Sequence, residues 1–183
     1  EESLFDIHQP VDTRRLIRAQ KRLKFEEFFF LQLHLLKMKL TRQKKFKGYS
    51  LENLGEGFND FYKKYLPFEL TGAQKRVLKE IRNDVRKPQQ MNRLLQGDVG
   101  SGKTLVALLS MLMAVDNGFQ ACLMAPTEIL SRQHFSTISA YLEEQDINVA
   151  LLTGSTKTKD RRVLHKELEN GEIDILIGTH RIV

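Results

Sequence analysis

The residues Gly97-Asp98-Val99-Gly100-Ser101-Gly102-Lys103-Thr104 have the types and order that hold a nucleotide triphosphate, Gly-x-x-x-x-Gly-Lys-Thr. The glycines let backbone N–H groups turn inward and form an anion nest at the start of a helix. Lys103 adds a cation aimed at the β and γ phosphates, and the Thr104 hydroxyl is an oxygen ligand suited to Mg²⁺. Such a loop works where a strand feeds a helix, and the sequence predicts a strand over 93–96 before it and a helix over 102–117 after it.

Three other turns follow predicted strands and carry related chemistry: Pro126-Thr127-Glu128, Thr153-Gly154-Ser155 and Gly178-Thr179-His180. In an open parallel sheet, ligands gather beyond the carboxyl ends of the strands. Hydroxyls and free helix N-terminal amides at that edge suit an extended polyanion track beside the nucleotide pocket. Helix capping by Thr127, and by Ser155 or Thr156, accounts for any one of these turns equally well; the three together tilt the balance toward the track. Arg132, His134 and the cluster Lys157, Lys159, Arg161 and Arg162 either steer a nucleic-acid strand or form a solvated helix face. His165 reads as structural.

The elements that must position these residues begin with an arm. Asp12 and Thr13 offer N-caps, and the stretch 14–47 lacks Gly and Pro while Leu16, Ala19, Leu23, Phe28, Leu31, Leu35 and Met38 recur at helical spacing. One long helix or two abutting ones are expected, with Phe28-Phe29-Phe30 too apolar to stay uncovered. A loop over 48–57 then separates arm from body. From residue 70 the pattern alternates: helix to 85, strand 93–96, helix 102–117, strand 120–125, helix 127–144, strand 149–152, helix 156–169, strand 173–177. This is the signature of an α/β parallel sheet with helices on both faces. The expected domains are a helical arm over 1–50, a connecting segment over 51–69 and the sheet domain over 70–183.

Composition narrows the possibilities. At 183 residues, 41% hydrophobic and 28% charged, the chain has the make-up of a globular protein and is short for two nucleotide-binding domains. The longest near-apolar run, 105–115, is too short to cross a membrane, and the single Cys, Cys122, fits a reducing cytosol and a small buried apolar role. Residues 1–50 carry 12 Lys+Arg against 6 Asp+Glu, 51–90 carry 8 against 6, and 91–183 carry 9 against 11, so the basic excess is N-terminal. That asymmetry suits phosphate backbones or a solvated helix. A small-molecule kinase would need a lid with several Arg, which is not evident, while a DNA-binding module without enzymatic activity would leave the phosphate loop unused.

Phe68-Glu69-Leu70-Thr71-Gly72-Ala73-Gln74, then Met91-Asn92-Arg93-Leu94-Leu95-Gln96 running into the phosphate loop, then Ala125-Pro126-Thr127-Glu128-Ile129-Leu130 with Gln133-His134, resemble the motor of the bacterial RecG branch-migration helicases of superfamily two. Ile7-His8-Gln9-Pro10 and Arg22-Leu23-Lys24-Phe25-Glu26-Glu27 with Leu31-Gln32-Leu33 resemble the helical link of the same family. The resemblance implies a RecA-like P-loop motor domain, incomplete at its C-terminus, joined to a helical linker.

It further implies ATP and Mg²⁺ as cofactors, with Gln74, Thr71 and Phe68 around adenine, residues 97–104 around the triphosphate, and Thr104 on the metal. Lys103 and Thr104 are then the catalytic residues, and Pro126, Thr127, Glu128, Arg132, Thr153, Gly154, Ser155, Gly178, Thr179 and His180 follow a DNA backbone without base specificity. The implied partners are branched or forked DNA and the wedge and second motor domains of the same polypeptide, in a cytoplasmic monomer. The family's Asp-Glu-Gln-His motif does not occur in the 183 residues, so the chain is expected to be a helicase fragment with negligible ATPase of its own and an unpaired strand edge prone to self-association.

Overall fold

The computed structural model describes residues 2–66 and 68–180. The chain forms two compact units, Glu1–Lys47 and Gly48–Val183. In the first, the stretch without Gly or Pro becomes one continuous helix, α2 (Thr13–Lys45). Asp12 caps it by accepting the Arg15 N–H at 2.7 Å, and Arg42, Lys44 and Lys45 occupy the last turn, where the helix dipole favours cations. A short helix that periodicity does not reveal, α1 (Glu2–His8), packs on α2, with Asp6 3.6 Å from Arg15. Ala19 is buried, Phe25 stacks on Phe29 at 5.7 Å, and Phe28 and Phe30 remain more than 60% exposed.

In the second unit α3 (Glu56–Asp60) runs into a wide π-type turn at Phe61–Tyr65. Then follow α4 (Gly72–Val85), α5 (Lys103–Val115), β1 (Ala121–Ala125), α6 (Glu128–Tyr141), β2 (Val149–Leu152), α7 (Thr158–Asn170) and β3 (Ile175–Thr179). Caps set these limits: Thr71 and Gln74 form a capping box on α4, Thr127 caps α6, and Gly171 closes α7 in a left-handed conformation at φ +76°. β3 starts two residues after the expected 173, because Asp174 is engaged with Asn148 through both backbone and side chain. The helix over 156–169 is not capped by Ser155 or Thr156; its N-cap is Lys157, and both hydroxyls are used elsewhere.

The strands form a parallel sheet ordered β1-β3-β2, with Ile177 opposite Leu123 on one side and Leu151 on the other. Ile175 and Ile177 face a core shared with Leu78 and Ile81 of α4, Leu108, Leu109 and Leu112 of α5, and Ile138 of α6. The opposite face packs Leu176, Ala150 and Leu152 against Leu164 and Leu168 of α7. α5 is buried almost all round, as its composition demands.

Two further expectations fail. Residues 93–96 form no strand: a strand exists by pairing, and among the described residues this segment joins no ladder. It is tied to α4 by ion pairs, Arg93 to Asp84 and, at 2.7 Å, to Glu80. Cys122 is exposed, not buried: it shares a sheet face with Leu176 but stands on the edge strand β1, whereas Leu164 and Leu168 of α7 pack against Ala150, Leu152 and Leu176. Partial burial of the sulfur still pushes its thiol pKa up.

Residues 49–58 cross the far ends of α4 and α5 as a strap. The Leu51 N–H donates to the Val85 carbonyl at 2.9 Å, Arg82 donates to the Leu51 and Glu52 carbonyls, and Asn53 and Asn117 exchange two hydrogen bonds at 3.1 and 2.9 Å. Asp116, just past α5, accepts from the N–H groups of Gly55, Gly57 and Phe58 at 2.8, 3.1 and 3.0 Å, so it caps α3 from a distant part of the chain. Asp116→Ala strands three donors, and urea unfolding should show a loss of about 2–3 kcal/mol. Asp116→Asn, which keeps an acceptor, should lose about half as much.

Candidate nucleotide site and nucleic-acid edge

The phosphate loop is folded around the N-terminus of α5. Gly100 and Gly102 take φ of +81° and +78°, which side chains disfavour, and a Cβ on Gly102 would collide with the Gln74 amide. The first N–H groups of α5 have no carbonyl partner within the helix, which leaves the nest electropositive. Lys103 donates to the Gly97 and Asp98 carbonyls, each at 2.7 Å, so its ammonium already lies across the mouth of the nest. Leu95, Gln96, Gly97, Asp98 and Lys103 line a shallow open depression beside it. Thr104, in the first turn of α5 and half-buried, presents the hard oxygen that Mg²⁺ prefers.

Gln74 is 8% exposed and sits between the two helix starts. Its Oε1 accepts the Thr71 N–H at 2.8 Å, and its Nε2 donates to the Ser101 carbonyl at 3.0 Å. One amide therefore completes the cap of α4 and supports the phosphate loop, with one N–H and one lone pair left over. Phe68 is half exposed nearby in sequence. Asp98, Val99 and Ser101 are exposed along the loop.

The three turns after the strands are brought to one edge of the sheet, and two are joined. Glu128 Oε1 accepts from Ser155 Oγ and from Arg132 Nη2 and Nε at 2.8 and 3.1 Å; Arg132 Nη2 also reaches Ser155 Oγ at 3.1 Å. Thr153 Oγ1 lies 3.1 Å from Ser155 Oγ, yet Thr153 is 2% exposed, so its hydroxyl holds Ser155 and is not offered to solvent. Arg161 donates to the Thr153 carbonyl at 2.8 Å and Thr156 Oγ1 accepts the Thr153 N–H at 3.0 Å; both act on loop shape. Gly178 is buried within β3, whereas Pro126, Thr127, Gly154 and His180 are exposed and Thr179 is half-buried. The roles of Arg161, Asp116 and Arg82 as supports were not visible beforehand, because each partner lies 8 or more residues away.

The family model for DEAD/DEAH box helicases matches residues 71–183, from the cap of α4 to the end of the chain. The chain belongs to the DEAD/DEAH box helicase family. Like its relatives in this family, it has a RecA-like fold, here a parallel sheet flanked by helices with an N-terminal helical arm.

Beyond the helicase domain, it is 44% identical over 181 residues to the ATP-dependent DNA helicase RecG of Synechocystis sp., covering 99% of this chain and 22% of that one. It is 44% identical over 182 residues to RecG of Bacillus subtilis, covering 100% and 26%, and 42% identical over 182 residues to RecG of Thermotoga maritima, covering 100% and 23%. A solved structure of RecG bound to a three-way DNA junction matches with a TM-score of 0.89 at 42% identity, covering 98% of this chain and 24% of that one. The chain spans about a quarter of the length of the curated relatives it matches. Among the described residues no helix is long and apolar enough to cross a membrane.

Two outcomes are expected. Gln74→Ala removes both halves of the link between α4 and the phosphate loop and should cost about 1–2 kcal/mol in thermal or chemical unfolding, with weaker nucleotide binding. The hydrogen bond from Ser155, and next that from Arg132, hold the Glu128 carboxyl below its ordinary pKa. Its side-chain titration, followed by carbon NMR, should have a midpoint below that of an ordinary glutamate, and the midpoint should rise in Ser155→Ala. Because the folded-state value is depressed, this tie stabilises the fold above the ordinary value and is lost as pH falls through the folded one.

Proposed function

We propose that this chain is the nucleotide-binding and strand-contacting part of an ATP-dependent DNA helicase that remodels branched DNA, such as stalled forks and four-way junctions, in recombination and repair. The observation that carries the proposal is a folded phosphate loop beside a hydroxyl-rich strand edge, in a chain similar over nearly its whole length to RecG proteins. In this reading 1–50 is a linker, 51–69 a connecting segment and 70–183 part of the first motor domain.

The N–H groups of residues 100–104 would hold the phosphates of ATP, and Lys103, which here donates to the Gly97 and Asp98 carbonyls, would donate to phosphate oxygens. Gln74 ties the Thr71 N–H to the Ser101 carbonyl, so base recognition at Gln74, Thr71 and Phe68 and phosphate binding would be linked by one amide. Thr104 would hold Mg²⁺, which neutralises charge on the transferred phosphoryl group. Thr127, Ser155, Thr179 and His180 line the edge that follows the DNA backbone, with Pro126, Gly154 and Gly178 shaping the turns. Cytoplasmic location and a monomeric parent complete the reading, with forked DNA and the remaining domains of the parent as partners.

Titration of a fluorescent ATP analogue with Mg²⁺ tests this. The 183-residue chain should bind it, Lys103→Ala should lose at least about tenfold in affinity, and little turnover should accompany binding even with a DNA junction present. Equal binding by both proteins would sink the proposed phosphate site.

A further inference from the structure

The strand edge has a feature that a phosphate track does not call for, a carboxylate at its centre. One oxygen of Glu128 accepts from the Ser155 hydroxyl and from two nitrogens of Arg132, at 2.8 and 3.1 Å for the latter. A hydroxyl from one loop and a guanidinium from the neighbouring helix, converging on a single anionic oxygen, are the donors that bind a phosphate oxygen. The carboxylate also sits in the first turn of α6, where the helix dipole favours negative charge. The Glu128 and Arg132 side chains are 36% and 57% exposed, so a polyanion from solution reaches the same donors.

We propose that Glu128 is an internal stand-in for a backbone phosphate: it keeps Ser155 and Arg132 positioned while no strand is bound, and it gives them up when one arrives. The inference rests on the reading that this edge contacts DNA. A bound strand regains the bonds that Glu128 releases but leaves a displaced carboxylate close to a phosphate, and that like-charge contact lowers affinity. Glu128 is thus a positioning residue that sets how tightly the edge holds DNA and how easily it lets go. A simple brace would act in the opposite direction, since removing a brace weakens binding.

The test is fluorescence anisotropy with a fluorescein-labelled three-way DNA junction over about 50–200 mM NaCl, the range where phosphate contacts show most clearly. Glu128→Gln keeps the size and an acceptor for Ser155 but drops the charge. It should bind about three- to tenfold more tightly at the low end of that range, with a log–log salt slope steeper by about 0.9, because Arg132 becomes available to one phosphate. Glu128→Ala should steepen the slope in the same way, and in an Arg132→Ala background neither substitution should. Unchanged or weaker binding by Glu128→Gln with an unchanged slope, while Arg132→Ala and Ser155→Ala still weaken binding, overturns the stand-in and leaves the DNA edge intact. No effect of Arg132→Ala and Ser155→Ala, or no binding by any of the proteins, overturns the edge and the stand-in together.

Discussion

Burial of α5 is the constraint on which the rest depends. A helix start binds an anion only if it is held still, since each unpaired N–H must point at the ligand before the ligand arrives. Leu108, Leu109 and Leu112 are completely buried between sheet and neighbouring helices, which fixes the helix along and about its axis. The two ends are then secured by polar groups: Gln74 reaches the Ser101 carbonyl at the start, and Asp116 gathers three N–H groups of the strap at the end. The apolar middle provides rigidity, and the polar ends provide position. Loss of either end leaves the helix buried but poorly aimed.

The sheet extends that logic to a second site. β1, β3 and β2 are parallel, so their carboxyl ends open on one edge and bring turns from distant parts of the chain side by side. Thr127 satisfies the start of α6, which leaves Glu128 free to bond across to Ser155, 27 residues away. Below them Thr153 is buried and Arg161 holds its carbonyl, so the upper hydroxyls rest on a fixed floor. The phosphate loop and the strand edge therefore share one scaffold: β1 and β3 pack against the helix that carries Lys103.

Much of this was legible in the sequence, and what was not has a common cause. The phosphate loop was readable because residue type, spacing and helical context all lie within eight positions. Helix limits followed local chemistry, as at Thr71, Thr127 and Gly171. The segment 93–96 has a strand's composition but takes its state from pairing, which composition does not encode. Cys122 has a core residue's type but stands exposed on an edge strand of the sheet. Ser155 had the chemistry of a cap, yet bonds to a carboxylate that no spacing rule connects with it. The failures are all non-local.

The exposure of Cys122 has a practical side. It is the chain's single thiol and stands on β1, whose outer edge is unpaired among the described strands, four positions before Pro126, where the turn to Glu128 begins. Partial burial raises its pKa, which lowers the thiolate fraction and slows adventitious oxidation, while its exposure leaves it within reach of a thiol reagent. One maleimide dye would therefore attach at a single known place, giving an optical reporter of whatever comes to pair with that strand.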